Sequence, residues 1–150
     1  VEDARPLIIN DLAPRIRSRD IVYVYWGGWP AFTVYGSRAG WVGLLHALYR
    51  PARVHGAAIF FGAEHDKPLG NLNEIAQRLR SGSYARLWLF SSHMLAQSTE
   101  YAVLARLSHC FGTEQALYTQ GALLFRFDLG SSPGMPTCLR LLTGTTRGAL

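Results

Sequence analysis

The run Ile21-Val22-Tyr23-Val24-Tyr25 limits what this chain can fold into more than any other stretch. It sits inside Arg19 to Pro30, which opens on a polar pair and stops at Gly27-Gly28 before Trp29-Pro30. β-Branched and aromatic side chains fit a pleated, packed surface, so the run reads as a strand. It barely alternates between apolar and polar, which is the pattern of a strand covered on both faces in a parallel sheet flanked by helices. Polar function then falls where the strand ends, at Tyr25 to Trp29.

Two more runs have the same character, Gly56 to Phe61 and Arg86 to Ser91. Helical spacing predicts helices over residues 3–18, 39–48, 70–81 and 98–109. Pro14 strains the first of these. Ala31 to Tyr35 begins a helix that Gly36 interrupts, Asn71 or Asn73 caps the third, and Gly82 stops it. Glu114 to Thr119 and Ala122 to Leu129 flank Gln120-Gly121 as a hairpin. Three strands joined through helices require right-handed crossovers. The expected fold is α/β: a three-layer α/β/α sandwich with a mostly parallel sheet and a C-terminal antiparallel hairpin. Residues 1–130 form one domain, and 131–150 are a Gly/Ser/Pro/Thr-rich tail in which Thr137 to Leu142 adds an edge strand.

The length of 150 residues suits one domain, and a hydrophobic fraction of 49% is ample for a core. No apolar stretch approaches the ~20 residues of a membrane-spanning helix. The chain begins at Val1 without a signal-peptide pattern, which suggests a piece cut from a longer protein. Fifteen Lys+Arg against ten Asp+Glu leave a net charge of +5, and Lys67 is the sole lysine. The basic residues form no dense stripe beyond Arg15 to Arg19 and accompany no nucleic-acid motif, so nucleic acid is not an expected partner. A modest pull toward anionic surfaces remains. Cys110 and Cys138 can pair in an oxidising compartment, but the preferred reading makes Cys110 a small buried hydrophobe on a helix and Cys138 a tail residue.

In open α/β sheets, ligands bind beyond the carboxyl ends of the parallel strands. That rule selects Tyr25-Trp26-Gly27-Gly28-Trp29, Gly62-Ala63-Glu64-His65-Asp66 and Ser91-Ser92-His93. Aromatic faces beside hydrogen-bonding groups suit a sugar or another polar ring. Tyr25 and Tyr35 add hydroxyls that can reach the rim. The same loops would be polar merely because strand ends need solvation. Glu64, His65 and Asp66 can hold an acid and a base, and Ser91 or Ser92 beside His93 suggests a hydrolase, but the glycines of a nucleophile elbow are missing. No HExxH pattern marks a metal site, and Gly27-Gly28 fails the dinucleotide fingerprint. No cofactor or metal is expected.

Asp20 to Tyr25 followed by Ala31-Phe32 and Tyr35, then Arg86-Leu87-Trp88-Leu89-Phe90-Ser91-Ser92-His93, resemble the soluble C-terminal domain of bacterial polytopic membrane glycosyltransferases. These are the enzymes of the dolichyl-phosphate mannosyltransferase-like class that use polyprenyl-phosphate-linked sugars. Arg5-Pro6-Leu7 and the hairpin segment Gly121-Ala122-Leu123-Leu124 are similar as well, so the likeness covers about residues 3–128. It implies a periplasmic domain following a bundle of membrane helices. The acidic catalytic residue would lie in the membrane part, and no residue here matches it. The domain would brace that membrane core of the same polypeptide, or contact an acceptor glycan or lipid-linked sugar. The candidate binding residues are Tyr25, Trp29, Tyr35, Glu64, His65, Arg86, Ser91 and His93, with no catalytic residue. The competing readings are a free-standing α/β hydrolase or transferase using His93 with Glu64 or His65, and a protein-interaction module.

Overall fold

The computed structural model describes residues 4–44, 50–65, 67–92, 99–129 and 138. Its described residues form an α/β fold with an open, mixed six-stranded sheet. The strands are β1 (Asp20–Val24), β2 (Ala52–Val54), β3 (Ala57–Phe61), β4 (Arg86–Ser92), β5 (Gly112–Thr119) and β6 (Ala122–Asp128). The helices are α1 (Trp29–Arg38), α2 (Pro68–Arg80) and α3 (Thr99–Cys110), preceded by a π-helical turn at Leu7–Leu12.

The sheet order is β2-β3-β1-β4-β6-β5. β1 is paired in parallel with β3 on one side and β4 on the other, with Val22 opposite both Ile59 and Trp88. All five residues of β1 are buried, as its continuous apolar pattern requires. The outer pairings, β2–β3, β4–β6 and β5–β6, are antiparallel. The parallel character is therefore confined to the centre.

Side chains alternate across each strand, and the core divides accordingly. Val22, Val24, Ile59, Trp88 and Phe90 belong to one cluster with Leu7, Ile8, Leu12, Phe32 and Trp41. Ile21, Tyr23, Phe60, Leu87 and Leu89 belong to the other with Leu72, Ile75, Val103 and Leu107. The π-helical turn and α1 thus lie on one face, and α2 and α3 on the other.

Three sequence expectations are corrected. The helix begun near Ala31 is not interrupted at Gly36 but spans Trp29–Arg38, and of the separate helix expected over 39–48, residues 45–48 lie outside the described residues. A Cβ at Gly36 would come within 2.8 Å of the Trp41 ring, so the glycine lets Trp41 fold back onto the helix. The run from Gly56 is preceded by β2, joined to β3 through His55-Gly56 with φ of 51° and 83°. Positive φ at both central residues is the signature of a type I′ hairpin. The first helix is reduced to the π-helical turn and a few flanking residues, and Pro14 follows it. His46 and the tail, Cys138 excepted, lie outside the described residues.

Cys110 and Cys138 form a disulfide, with Cα atoms 5.5 Å apart. The reading of two unconnected cysteines is overturned, because Cys138 returns to the end of α3.

Candidate functional site: a cleft where the crossovers diverge

From β1 the chain leaves toward β3 by way of α1 on one face. From β3 it returns past β1 to β4 by way of α2 on the opposite face. Reversing both direction and face preserves the hand of the crossover. It also parts the β1 and β3 exit loops, which opens a crevice at the carboxyl ends of these two strands. A cleft of about 130 Å³ occupies that position, lined by Tyr25, Trp26, Gly27, Ala63, Glu64, His65 and Asn71.

The walls are built from three elements. Gly28 N–H bonds to the Tyr25 carbonyl at 2.8 Å, closing a tight turn after β1. A Cβ on Gly28 would come within 3.3 Å of the Phe90 ring and the Ser92 nitrogen, so this turn packs directly on the end of β4. Trp26 is left 41% exposed at the rim. Its ring lies 6.4 Å from that of Trp29. On the other wall, Gly62 N–H bonds to the Val24 carbonyl at 2.8 Å, which carries the β1–β3 pairing one residue beyond the strands.

Beneath the cleft lies a polar network around Glu74 of α2. Its carboxylate accepts from the Tyr23 hydroxyl at 2.9 Å and from Ala63 N–H at 3.1 and 3.2 Å. His65 Nε2 lies 3.4 Å from the same carboxylate. The Tyr23 oxygen also lies 2.6 Å from the Asn71 side-chain amide. The atom of Asn71 in this contact is Oδ1, so the single phenol proton is shared between two acceptors, Asn71 Oδ1 and Glu74 Oε1. Tyr23, with Asn71 and Glu74, fixes α2 to β1, and Glu74 also fixes the β3 exit.

Two glycines admit this arrangement. A Cβ on Gly62 would overlap the Tyr23 hydroxyl. One on Gly70 would approach His65 Nδ1 to 2.7 Å. His65 Nε2 is buried beside Glu74 without a hydrogen bond among the described residues, and Nδ1 faces Gly70 in the first turn of α2. An imidazole placed beside a carboxylate is a pair that can support hydrogen bonding or proton transfer.

Of the residues singled out in the sequence, Tyr25, Glu64 and His65 line the cleft together. Trp29 begins α1 and turns its half-buried ring toward the cluster around Phe32. Tyr35 lies farther along α1 beneath the Arg38 guanidinium, 5.4 Å from its ring centre, and does not line the cleft. Ser91 is fully buried within β4 opposite Leu123. Ser92 is buried too, and its Oγ has no hydrogen-bond partner among the described residues. His93 and Asp66 lie outside the described residues.

Arg86 is a correction. It opens β4 at the amino ends of the strands, opposite Asp20 in register. Arg86 Nε donates to Asp20 Oδ1 and Nη2 to Oδ2, both at 2.9 Å. Trp88 Nε1 and Arg17 N–H also donate to Asp20 Oδ2, each at 2.9 Å. Arg86 is thereby committed to the fold. Asn71, expected to cap α2, is instead part of the Tyr23 network, and Pro68 begins the helix.

Sequence reasoning missed Glu74, Tyr23 and Asn71 as site groups. The legible signal was Asn71 itself: it shares the buried i, i+4 stripe of Ile75 and Leu79, where an amide needs a partner. Glu74 carried no comparable mark.

A larger depression of about 480 Å³ lies by Thr33, Ser37 and Trp41 to Leu44. It adjoins residues outside those described, and none of its described lining residues is titratable. Among the described residues, no group of three His, Cys, Asp or Glu side chains is placed to hold a metal ion. No described helix is long and apolar enough to cross a membrane. Comparison with protein-family models, curated proteins and solved structures finds no match to this chain.

Proposed function

We propose that this chain is a three-layer α/β/α domain that acts outside the cytoplasm as an accessory part of a membrane glycosyltransferase, with the cleft between β1 and β3 taking a sugar. The cleft carries this reading. An exposed indole at its rim, beside the polar groups of Glu64, His65 and Asn71, offers one stacking face and several directional hydrogen-bond groups. A volume of about 130 Å³ suits a single ring and little more. The strand sequences that resemble glycosyltransferase C-terminal domains favour the same class of ligand, with the membrane-embedded part of the polypeptide as partner. The Cys110–Cys138 disulfide supports a periplasmic location, since such bonds persist in oxidising compartments.

The test is a titration of the 15N-labelled chain with methyl glycosides of glucose, mannose and N-acetylglucosamine. Saturable shifts are expected at the Trp26 indole, Tyr25, Ala63 and His65, and Trp26→Ala should abolish them. Shifts confined to Arg19, His55 and Tyr84 at the opposite end, or no shifts with any sugar, would reject the cleft as a sugar site.

A second reading has its own observation. His65 Nε2 lies 3.4 Å from the Glu74 carboxylate, so an imidazole and a carboxylate stand side by side at the cleft. A transferase or hydrolase would then use His65 in place of the His93 pairing suggested by the sequence. Turnover of an ester, phosphate or glycoside that His65→Ala removes would establish it. Turnover unchanged in that variant would dismiss it.

A further inference from the structure

The end of the sheet opposite the cleft carries a different chemistry. There the loop Arg17-Ser18-Arg19 lies between two other turns. On one side is the hairpin turn His55-Gly56, where a Cβ on Gly56 would come within 2.9 Å of Ser18. On the other is the entry to β4, where Ala85 N–H bonds to the Arg19 carbonyl at 2.8 Å. Arg53 reaches the same turn, donating to the Gly56 carbonyl at 3.2 Å. Arg80 stands in the last turn of α2, which leads the chain back to this end of β4.

Arg17, Arg19, Arg53 and Arg80 are all exposed. None of them is in an ion pair with a described carboxylate; the pairs found are Arg15–Asp11, His65–Glu74 and Arg86–Asp20. Asp20 is buried and already committed. Asp128 is the exposed acid in register with Arg86, and it too is engaged. The cleft end carries Glu64 and Glu74 against Lys67. Among the described residues, the two ends of the strands therefore differ in charge.

We infer that this arginine-rich pole is a docking surface for an anionic lipid bilayer. Guanidinium groups exposed on three adjoining elements suit a plane of phosphates better than a single bound anion, because no pocket gathers them. A bilayer contacting this pole leaves the cleft opening away from the lipid. Combined with the sugar reading on which this point rests, that orientation favours an acceptor glycan in the aqueous phase over a lipid head group.

The experiment is co-sedimentation of the 150-residue chain with vesicles of phosphatidylglycerol mixed into phosphatidylcholine, against pure phosphatidylcholine. Binding to the anionic vesicles alone is expected at low salt, with loss as the Debye length shrinks. The triple variant Arg19→Glu, Arg53→Glu, Arg80→Glu should bind on the order of 100-fold more weakly, since each of the three basic groups near such a surface accounts for about fivefold. The corresponding Gln variant should lose less, and circular dichroism should show both folded. The control Lys67→Glu, Arg106→Glu should retain most of the binding. The inference fails if the native chain ignores anionic vesicles, if the control loses as much per charge as the triple variant, or if an RNA oligomer at equal phosphate binds more tightly. The glycoside titration reads the cleft and the vesicle assay reads the pole, so one can fail while the other stands.

Discussion

At the scale of single residues, Asp20 and His65 show how similar-looking side chains come to different ends. Asp20 accepts four hydrogen bonds at the amino ends of β1 and β4, and its side chain is 1% exposed. Asp20→Ala would strand the Arg86 charge and leave the Trp88 N–H unpaired. Removing one member of such a pair costs about 3–5 kcal/mol. Urea denaturation should show a loss in this range, and a loss below about 1 kcal/mol would mean that water satisfies Arg86 in its place. His65 is held by close packing against the first turn of α2. Gly70→Ala should gain about 1 kcal/mol from helix propensity. The new methyl would press on the imidazole, so most of that gain should be lost and the His65 ring signals should move. Full stabilisation with unmoved His65 resonances would place the ring elsewhere.

At the scale of elements, the legible parts of the fold were those whose sequence pattern matches their burial. β1, β3 and β4 are continuous apolar runs, and all lie within the covered sheet. α2 and α3 fall within two residues of their expected spans, since their apolar stripes face the sheet. β2 was missed because it is three residues long with an exposed Arg53, and its turn uses histidine where asparagine is the usual cue. α1 was cut short because Gly36 reads locally as a break, whereas its missing side chain serves a tertiary contact with Trp41 and Leu44. The rim could be named from strand ends alone. Which two exits open into a cleft depended on the faces taken by α1 and α2, and no local pattern records that. The disulfide was equally hidden, being a contact across 28 residues. Closing a loop of that length restricts the unfolded chain by roughly 3–4 kcal/mol. Cys110→Ser with Cys138→Ser should lower stability by that order, and a reducing agent should lower the native chain to the same level. A native chain indifferent to reduction would show that the bond does not form in solution.

At the scale of the molecule, the sheet is the one structure that both clusters share. Each central strand sends alternate side chains into opposite faces, so both clusters are anchored on β1, β3 and β4. Trp29, Trp41 and Trp88 report on one face. α2 and α3 on the other face contribute much of the helical signal. If the faces are coupled, tryptophan fluorescence and far-UV circular dichroism should give one coincident transition. Ile75→Val, a cavity mutation beneath α2, should cost about 0.5–1.5 kcal/mol and shift the fluorescence midpoint by the same amount as the dichroism midpoint. Phe32→Leu on the far side should do likewise, and the two effects should add within about 0.5 kcal/mol because their side chains share no contact. A fluorescence midpoint unmoved by Ile75→Val would mean that α2 and α3 unfold as a separate layer. Glu74 and Asn71 would then leave Tyr23 before the sheet melts, and the cleft would lose its floor in a molecule that still looked half native.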